Sequence, residues 1–139
     1  MKSTFPILLL LSAVMIFISC SEEKKDRPNT AIETGRAFIK ASLNGDFSTS
    51  ESLILKDSSN SALFNAYKEY YEKLPAEKKL HYKQSSYEIN KLDEINDSVT
   101  IINYSNDYMN KPMDIKVTRV NSSWYIDFKY TYSGIQPVN

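Results

Sequence analysis

Residues 113–130 read MDIKVTRVNSSWYIDFKY. Folding this stretch about a two-residue turn at Asn121-Ser122 sets Val120 opposite Ser123, Arg119 opposite Trp124, Thr118 opposite Tyr125 and Val117 opposite Ile126. Continued outward, it pairs Lys116 with Asp127, Ile115 with Phe128, Asp114 with Lys129 and Met113 with Tyr130. Two-residue loops are the commonest hairpin connections. In this register Met113, Ile115, Val117, Trp124, Ile126, Phe128 and Tyr130 share one face, and the other face gains two opposite-charge pairs. Matched cross-strand pairs each stabilise a sheet by about 0.2–1 kcal/mol. A slip of one residue would set Asp127 and Lys129 against apolar partners and undo every match. The pattern predicts a closing antiparallel hairpin with strands over 111–120 and 123–132.

Working back from the hairpin, the period of two extends to Leu80 and predicts strands over 80–92 and 98–106, with turns at Asn96-Asp97 and at Tyr108 to Lys111. Before Leu80 the period is helical. Thr30-Ala31-Ile32-Glu33 has capping-box spacing and starts a first helix whose inner face gathers Ala31, Ile32, Gly35, Phe38, Ile39, Ser42 and Leu43. Asn44-Gly45 stops it, because glycine accepts the left-handed conformation past a helix end. Asp46 caps a short second helix with Phe47, Ser50, Leu53 and Ile54 inward. A third helix follows the KDSSN loop at 56–60 and carries a stripe of Leu63, Tyr67, Tyr70 and Leu74 before Pro75 ends it. The chain thus reads as α+β: three N-terminal helices packed on a curved four-stranded antiparallel sheet. Ten tyrosines, each with an apolar ring and a polar tip, suit a sheet with one packed face. The domain spans 30–132, with a C-terminal tail over 133–139.

The front of the chain is of another kind. Lys2 precedes an apolar run that ends at Phe17-Ile18-Ser19-Cys20. About 20 apolar residues are needed to span a bilayer, and this run is shorter. Its layout is that of a secretory leader over 1–19. The four closing residues resemble the bacterial lipoprotein signal, although Phe17 stands where leucine is usual. The resemblance implies cleavage between Ser19 and Cys20. It also implies acylation of Cys20 by a diacylglyceryl thioether and an amide-linked chain of the palmitate type, so that the protein reaches the membrane through this lipid. An ordinary leader with an incidental cysteine is the competing reading. Cys20 is the only cysteine, so an exported chain has no internal disulfide to make with it. Two acyl chains give stable anchoring, at about 0.8 kcal/mol per buried methylene.

The stretch SEEKKDRPN, residues 21–29, has no aliphatic or aromatic residue, so with Cys20 it reads as a flexible tether over 20–29. Ser21, rather than aspartate, follows the cysteine. That resembles lipoproteins sent to the outer membrane, and Ser21-Glu22-Glu23 is similar to the acidic signal of surface-exposed ones. A solvated linker explains the same residues. Removing residues 1–19 leaves 16 basic and 17 acidic residues, with no basic block, which argues against a nucleic-acid partner.

Ala37-Phe38, Ala41, the junction Leu43-Asn44-Gly45-Asp46-Phe47, and the run from Val117 to Asp127 around Trp124 together resemble the nuclear transport factor 2-like superfamily. Within it they are similar to a group of bacterial lipoproteins of unknown function. The likeness covers about residues 28–132; Ser122-Ser123 stand where Gly-Lys is more usual. It implies a cone-shaped cavity between helices and sheet. Superfamily enzymes set a carboxylate base and a tyrosine or protonated acid there, but one fold hosts many functions.

The residues argue for binding. His81, the only histidine, lies beside Lys79 and Lys83 and reads as a solvated residue near the start of the first strand. The packed face of the hairpin carries no carboxylate to serve as a base. There is no His/Cys metal cluster, phosphate loop or G-x-S-x-G element, and no cofactor is implied. Asp97-Ser98-Val99 resembles a short O-glycan acceptor of exported bacterial proteins, a match that three residues make easily by chance. Tyr67, Arg119 and Tyr130 are the polar tips that would line the mouth of the cone. Arg119 stacked on Trp124 at the end of the sheet is the other reading of that residue. The expectation is a non-catalytic binding or interaction module of the cell envelope, taking a small ligand or an envelope protein. An accessory subunit of an envelope complex and a small isomerase- or dehydratase-type enzyme are the alternatives.

Overall fold

A computed structural model describes residues 26–132. Four helices precede the sheet: α1 (Ala31–Asn44), α2 (Phe47–Ser52), α3 (Ser58–Glu72) and α4 (Ala76–Gln84). The strands β1 (Tyr87–Asn96), β2 (Val99–Asn106), β3 (Pro112–Val120) and β4 (Ser123–Ile126) follow, and a short helix α5 (Phe128–Tyr132) ends the described residues. The protein is α+β, with an open antiparallel sheet ordered β1-β2-β3-β4.

The first three helix starts each have a side-chain cap. Thr30 Oγ1 accepts the Glu33 N–H at 3.2 Å, and Glu33 reaches back to the Asn29 N–H at 3.2 Å. Gly45 ends α1 with φ of 71°, and the N–H groups of Gly45 and Asp46 close onto Ser42 and Ala41. Asp46 and Asp57 cap α2 and α3. Against the sheet, α1 lies so close that a Cβ on Gly35 would collide with Ile102 Cδ1.

Four pairs of the hairpin register hold: Val120/Ser123, Arg119/Trp124, Thr118/Tyr125 and Val117/Ile126. Asn121 and Ser122 both have positive φ, 47° and 65°, the geometry of a type I′ turn. The Lys116/Asp127 pair is present as an ion pair at 3.3 Å. Beyond it the ladder stops, so the strand expected over 123–132 ends at Ile126. The N–H groups of Tyr130 and Thr131 turn back to the Asp127 carbonyl and form α5. Asp114 then accepts from Asn103 Nδ2, Lys129 pairs with Asp57, and Tyr130 is 42 % exposed instead of packed.

Three further expectations change. The third helix begins at Ser58, inside the loop expected over 56–60, and four helices, not the expected three, precede the sheet. Residues 80–84 are not strand: Pro75 ends α3 but also leads into α4, and β1 begins only at Tyr87. The buried stripe of α3 is Asn60, Phe64 and Tyr71, with Tyr67 packed beside it, one position away from the stripe expected through Tyr70 and Leu74.

The core lies between α1, α3 and α5 on one side and the inner face of the sheet on the other. Phe38, Ile39, Leu43, Leu53, Ile54, Phe64, Ile102, Ile115, Val117, Ile126 and Phe128 are all buried there. Along β2, buried and half-buried residues alternate without a break, as expected of a sheet with one packed face.

The register assigns unequal weight to neighbours. Phe128→Ala should destabilise by about 3–5 kcal/mol, as buried aromatic truncations do. Lys129→Ala, on a partly exposed ion pair, should cost under about 1 kcal/mol. Comparable denaturation midpoints for the two would contradict the packing described. Ser122→Gly should stabilise by about 1 kcal/mol, because it relieves a left-handed backbone that only glycine adopts freely. A lower melting temperature for this variant would refute the turn assignment.

Candidate functional site

The expected site lay between the third helix and the packed face of the sheet. That space is filled by the chain's own C-terminal turn. The Phe128 ring meets Phe38 at 6.1 Å, Phe64 at 5.4 Å and Tyr67 at 5.8 Å between centroids. Phe47 adds edge contacts to Phe64, Tyr67 and Tyr71 at 6.0, 5.9 and 5.0 Å. Edge-to-face contacts of this kind suit the ring quadrupoles and leave little free volume. Burial pushes the Tyr67 hydroxyl far above the ordinary tyrosine range, and Tyr82, Tyr104 and Tyr71 add to the shift. The hydroxyls of Tyr82 and Tyr104 are raised for the same first reason.

The three residues expected to share a mouth are not brought together. Tyr67 sits in the aromatic core. Arg119 is exposed at the far end of β3, its guanidinium 5.6 Å from the centre of the Trp124 ring. Tyr130 is on α5, with Lys116 Nζ 5.9 Å from its ring. His81 is in the last turn of α4, exposed, with its ring 5.1 Å from that of Tyr108.

The described residues form open clefts on the surface instead, three of which bear on the expected site residues. One, of about 600 Å³, runs between the start of α1 and the β1–β2 turn and is lined by Asn29, Ile32, Leu92, Asp97, Arg119 and Trp124, among others. A second, about 500 Å³, lies between α1, α2 and the segment entering the domain. The third, about 430 Å³, is polar and surrounds Ser86 and Asp107 at the other end of the sheet. Hydrogen bonds from the Ser86 hydroxyl and N–H hold Asp107 below the usual carboxylate range. Tyr67 and Tyr130 line none of these three.

Arg27, read from the sequence as tether, is a contact residue. Its guanidinium donates to the Ser52 carbonyl at 3.2 Å and the Trp124 carbonyl at 3.1 Å, and it lies 4.2 Å from the centre of the Tyr125 ring. No local signal could have found it, since its partners lie 25 and 97 positions away. Ser19 and Cys20, the leader, the tether up to Lys25 and the tail over 133–139 lie outside the described residues.

Among the described residues no group of three or more His, Cys, Asp or Glu could hold a metal, and no helix is long and apolar enough to cross a membrane. Comparison with protein-family models, curated proteins and solved structures finds no match for the chain.

The raised tyrosines carry a pH signature. An unfolded tyrosine ionises near pH 10, while the buried hydroxyls stay protonated beyond it. Above pH 10 the folded state therefore binds more protons than the unfolded state, and stability falls as pH rises. In an absorbance titration Tyr67, Tyr82 and Tyr104 should resist ionisation and then titrate abruptly with alkaline unfolding. Ten tyrosines ionising together near pH 10 in a folded chain would overturn the buried assignment.

Proposed function

We propose that this chain is an exported lipoprotein, anchored to the outer membrane through acylated Cys20 and carrying a non-catalytic binding module of nuclear transport factor 2-like fold. The observation that carries the non-catalytic part is the filled cone. A base in a small-molecule enzyme needs a water-excluding cavity with room for substrate. Here Phe128, Phe64 and Tyr67 take that room. Asp127 is the buried carboxylate beside them, but it is engaged with Lys116 at 3.3 Å and Lys129 at 3.9 Å and lines none of the three clefts described. Recognition on this reading uses the outside of the domain. The cleft holding Arg119 and Trp124 is its strongest candidate, because it sets an aromatic ring, a cation, two carboxylates and three apolar side chains around one space.

Membership of an envelope complex, as an accessory subunit, is the second reading. It is favoured by Leu80, Leu92 and Ile95, which are exposed although apolar. Large apolar patches on a protein surface mark interaction sites, whereas single exposed residues do not.

The anchor is directly testable. Wild type should partition into detergent and carry acyl mass on its N-terminal cysteine, and Cys20→Ser should leave soluble protein or uncleaved precursor. Identical partitioning of the two, with no acyl mass on the wild type, would refute the anchor. Arg119→Ala and Trp124→Phe should abolish capture of an envelope ligand or partner without lowering the melting temperature by more than a few degrees. Unchanged capture would exclude the cleft.

A further inference from the structure

We propose that the outer edge of β4, with α2 beside it, is the face the domain turns toward the bilayer, and that Arg27 clasps it there. The proposal rests on the lipid-anchor reading of Cys20 and adds an orientation to it.

The clasp is a three-point contact. One guanidinium arm bonds the last residue of α2 and the other bonds a carbonyl of β4, while the plane of the group lies on the Tyr125 ring. Arginine suits this task because its planar fork binds two acceptors at fixed angles and stacks on an aromatic face; lysine does neither. The contact joins the incoming segment to β4, which is at the opposite edge of the sheet from β1.

Chain length turns that contact into an orientation. Seven steps separate Cys20 from Arg27, at most about 25 Å even when fully extended. Without the clasp the first fixed point is Asn29, whose N–H donates to Glu33 in the α1 cap, nine steps from Cys20 and at most about 32 Å away. A domain of this size is roughly 30 Å across. The clasped leash is shorter than the domain and restrains how it turns; the unclasped leash is longer and does not. β1 then lies three strand spacings, about 14 Å, farther out than β4. Charge does not set this orientation. The cleft beside the clasp mixes Asp26 and Asp46 with Arg27 and Lys40 and so presents no one-signed field to lipid headgroups.

The only tryptophan, Trp124, gives the clasp its backbone carbonyl but turns its indole into the cleft shared with Leu92 and Asp97, so the reporter is placed at Tyr125, whose ring lies under the Arg27 guanidinium. The mature chain from Cys20 is coupled through its thiol to a maleimide phospholipid in phosphatidylcholine vesicles that carry a dansyl-headgroup lipid. Energy transfer from tryptophan to dansyl is read for a Trp124→Phe, Tyr125→Trp chain and for a Trp124→Phe, Ile95→Trp chain, in which the donor sits on exposed β1. With about 14 Å between the edges, transfer from the donor at position 125 should be at least about twofold stronger. Arg27→Ala should remove most of this difference, and Arg27→Lys, which keeps the charge, should remove it too. Melting curves of all six chains, two donor positions with each of the three residues at position 27, verify that the fold is retained. Equal transfer from both positions, or a difference that survives Arg27→Ala, overturns the clasp. In parallel, protein extracted from cells is weighed for acyl mass on Cys20. Absence of that mass overturns the membrane-facing role even where the vesicles give the expected difference, whereas equal transfer with acyl mass present overturns the clasp and leaves the anchor standing.

Discussion

The buried side chain of Asn60 decides where the chain leaves the sheet. Its Oδ1 accepts the Lys129 N–H at 2.7 Å, and its Nδ2 donates to Asp57 Oδ2 at 2.7 Å. Asp57 in turn accepts the Asn60 N–H at 2.8 Å, which lowers its pKa and caps α3. In a continued β3–β4 ladder, the Lys129 N–H would face the Asp114 carbonyl, because paired residues exchange both bonds at every second position. Asn60 takes that donor away. A buried amide left without its partner would cost about 1–3 kcal/mol, so the turn into α5 and the position of α3 stabilise each other.

The arrangement of the core follows. Once β4 ends at Ile126, Phe128 no longer stands on the sheet but points from a helical turn toward α3. There it meets Phe64 nearly edge-on, with the ring planes 88° apart. In a strand carried through to residue 132, Phe128 would stand opposite Ile115 on the packed face of the sheet. The helical turn instead carries its ring against Phe64 and Tyr67. Tyr67, expected at the mouth of a cavity, and Tyr104 serve as wall and filling, and burial raises both hydroxyls.

How much of this was legible follows from the range of each interaction. The caps at Thr30 and Asp46 and the stop at Gly45 depend on three or four residues each, and a sequence displays them. The inner half of the last hairpin was legible because charge, apolarity and turn chemistry agreed on one register. Three features were not. Tyr67 belongs to two overlapping stripes of α3, one through Leu63 and Tyr70, the other through Asn60, Phe64 and Tyr71. The second is buried because Asn60 has partners inside, and a polar residue gives no sign of that. Residues 80–84 alternate like a strand, yet they form the end of α4, where Tyr82 stacks on Tyr108 at 3.7 Å and its hydroxyl meets the Met109 sulfur at 3.8 Å. Phe128 and Tyr130 fit a strand as well as a helical turn, and only Asn60, about seventy positions away, separates the two.

The two edges of the sheet are protected by different means, and the difference bears on how anything could bind there. On the outer side of β4, Ile126 donates to Leu53 at 2.8 Å and accepts from Leu55 at 3.0 Å, while Arg27 covers the Trp124 carbonyl. These contacts leave little backbone for an added strand. β1 has no such cover from a neighbouring strand, but its register breaks between Ile89 and Lys91 and again between Glu94 and Asn96. The breaks leave only short runs in regular pairing, Tyr87–Ile89 and then Lys91–Glu94. Lys91 and Asp93 within that run form an ion pair at 2.8 Å. Bulges and charges of this kind hinder strand addition. A partner at β1 would therefore have to bind side chains, chiefly Leu92 and Ile95 at 45 % and 61 % exposure, instead of extending the sheet. Leu92 also lines the cleft that holds Arg119 and Trp124, so side-chain recognition at this edge and at the cleft would draw on one continuous surface.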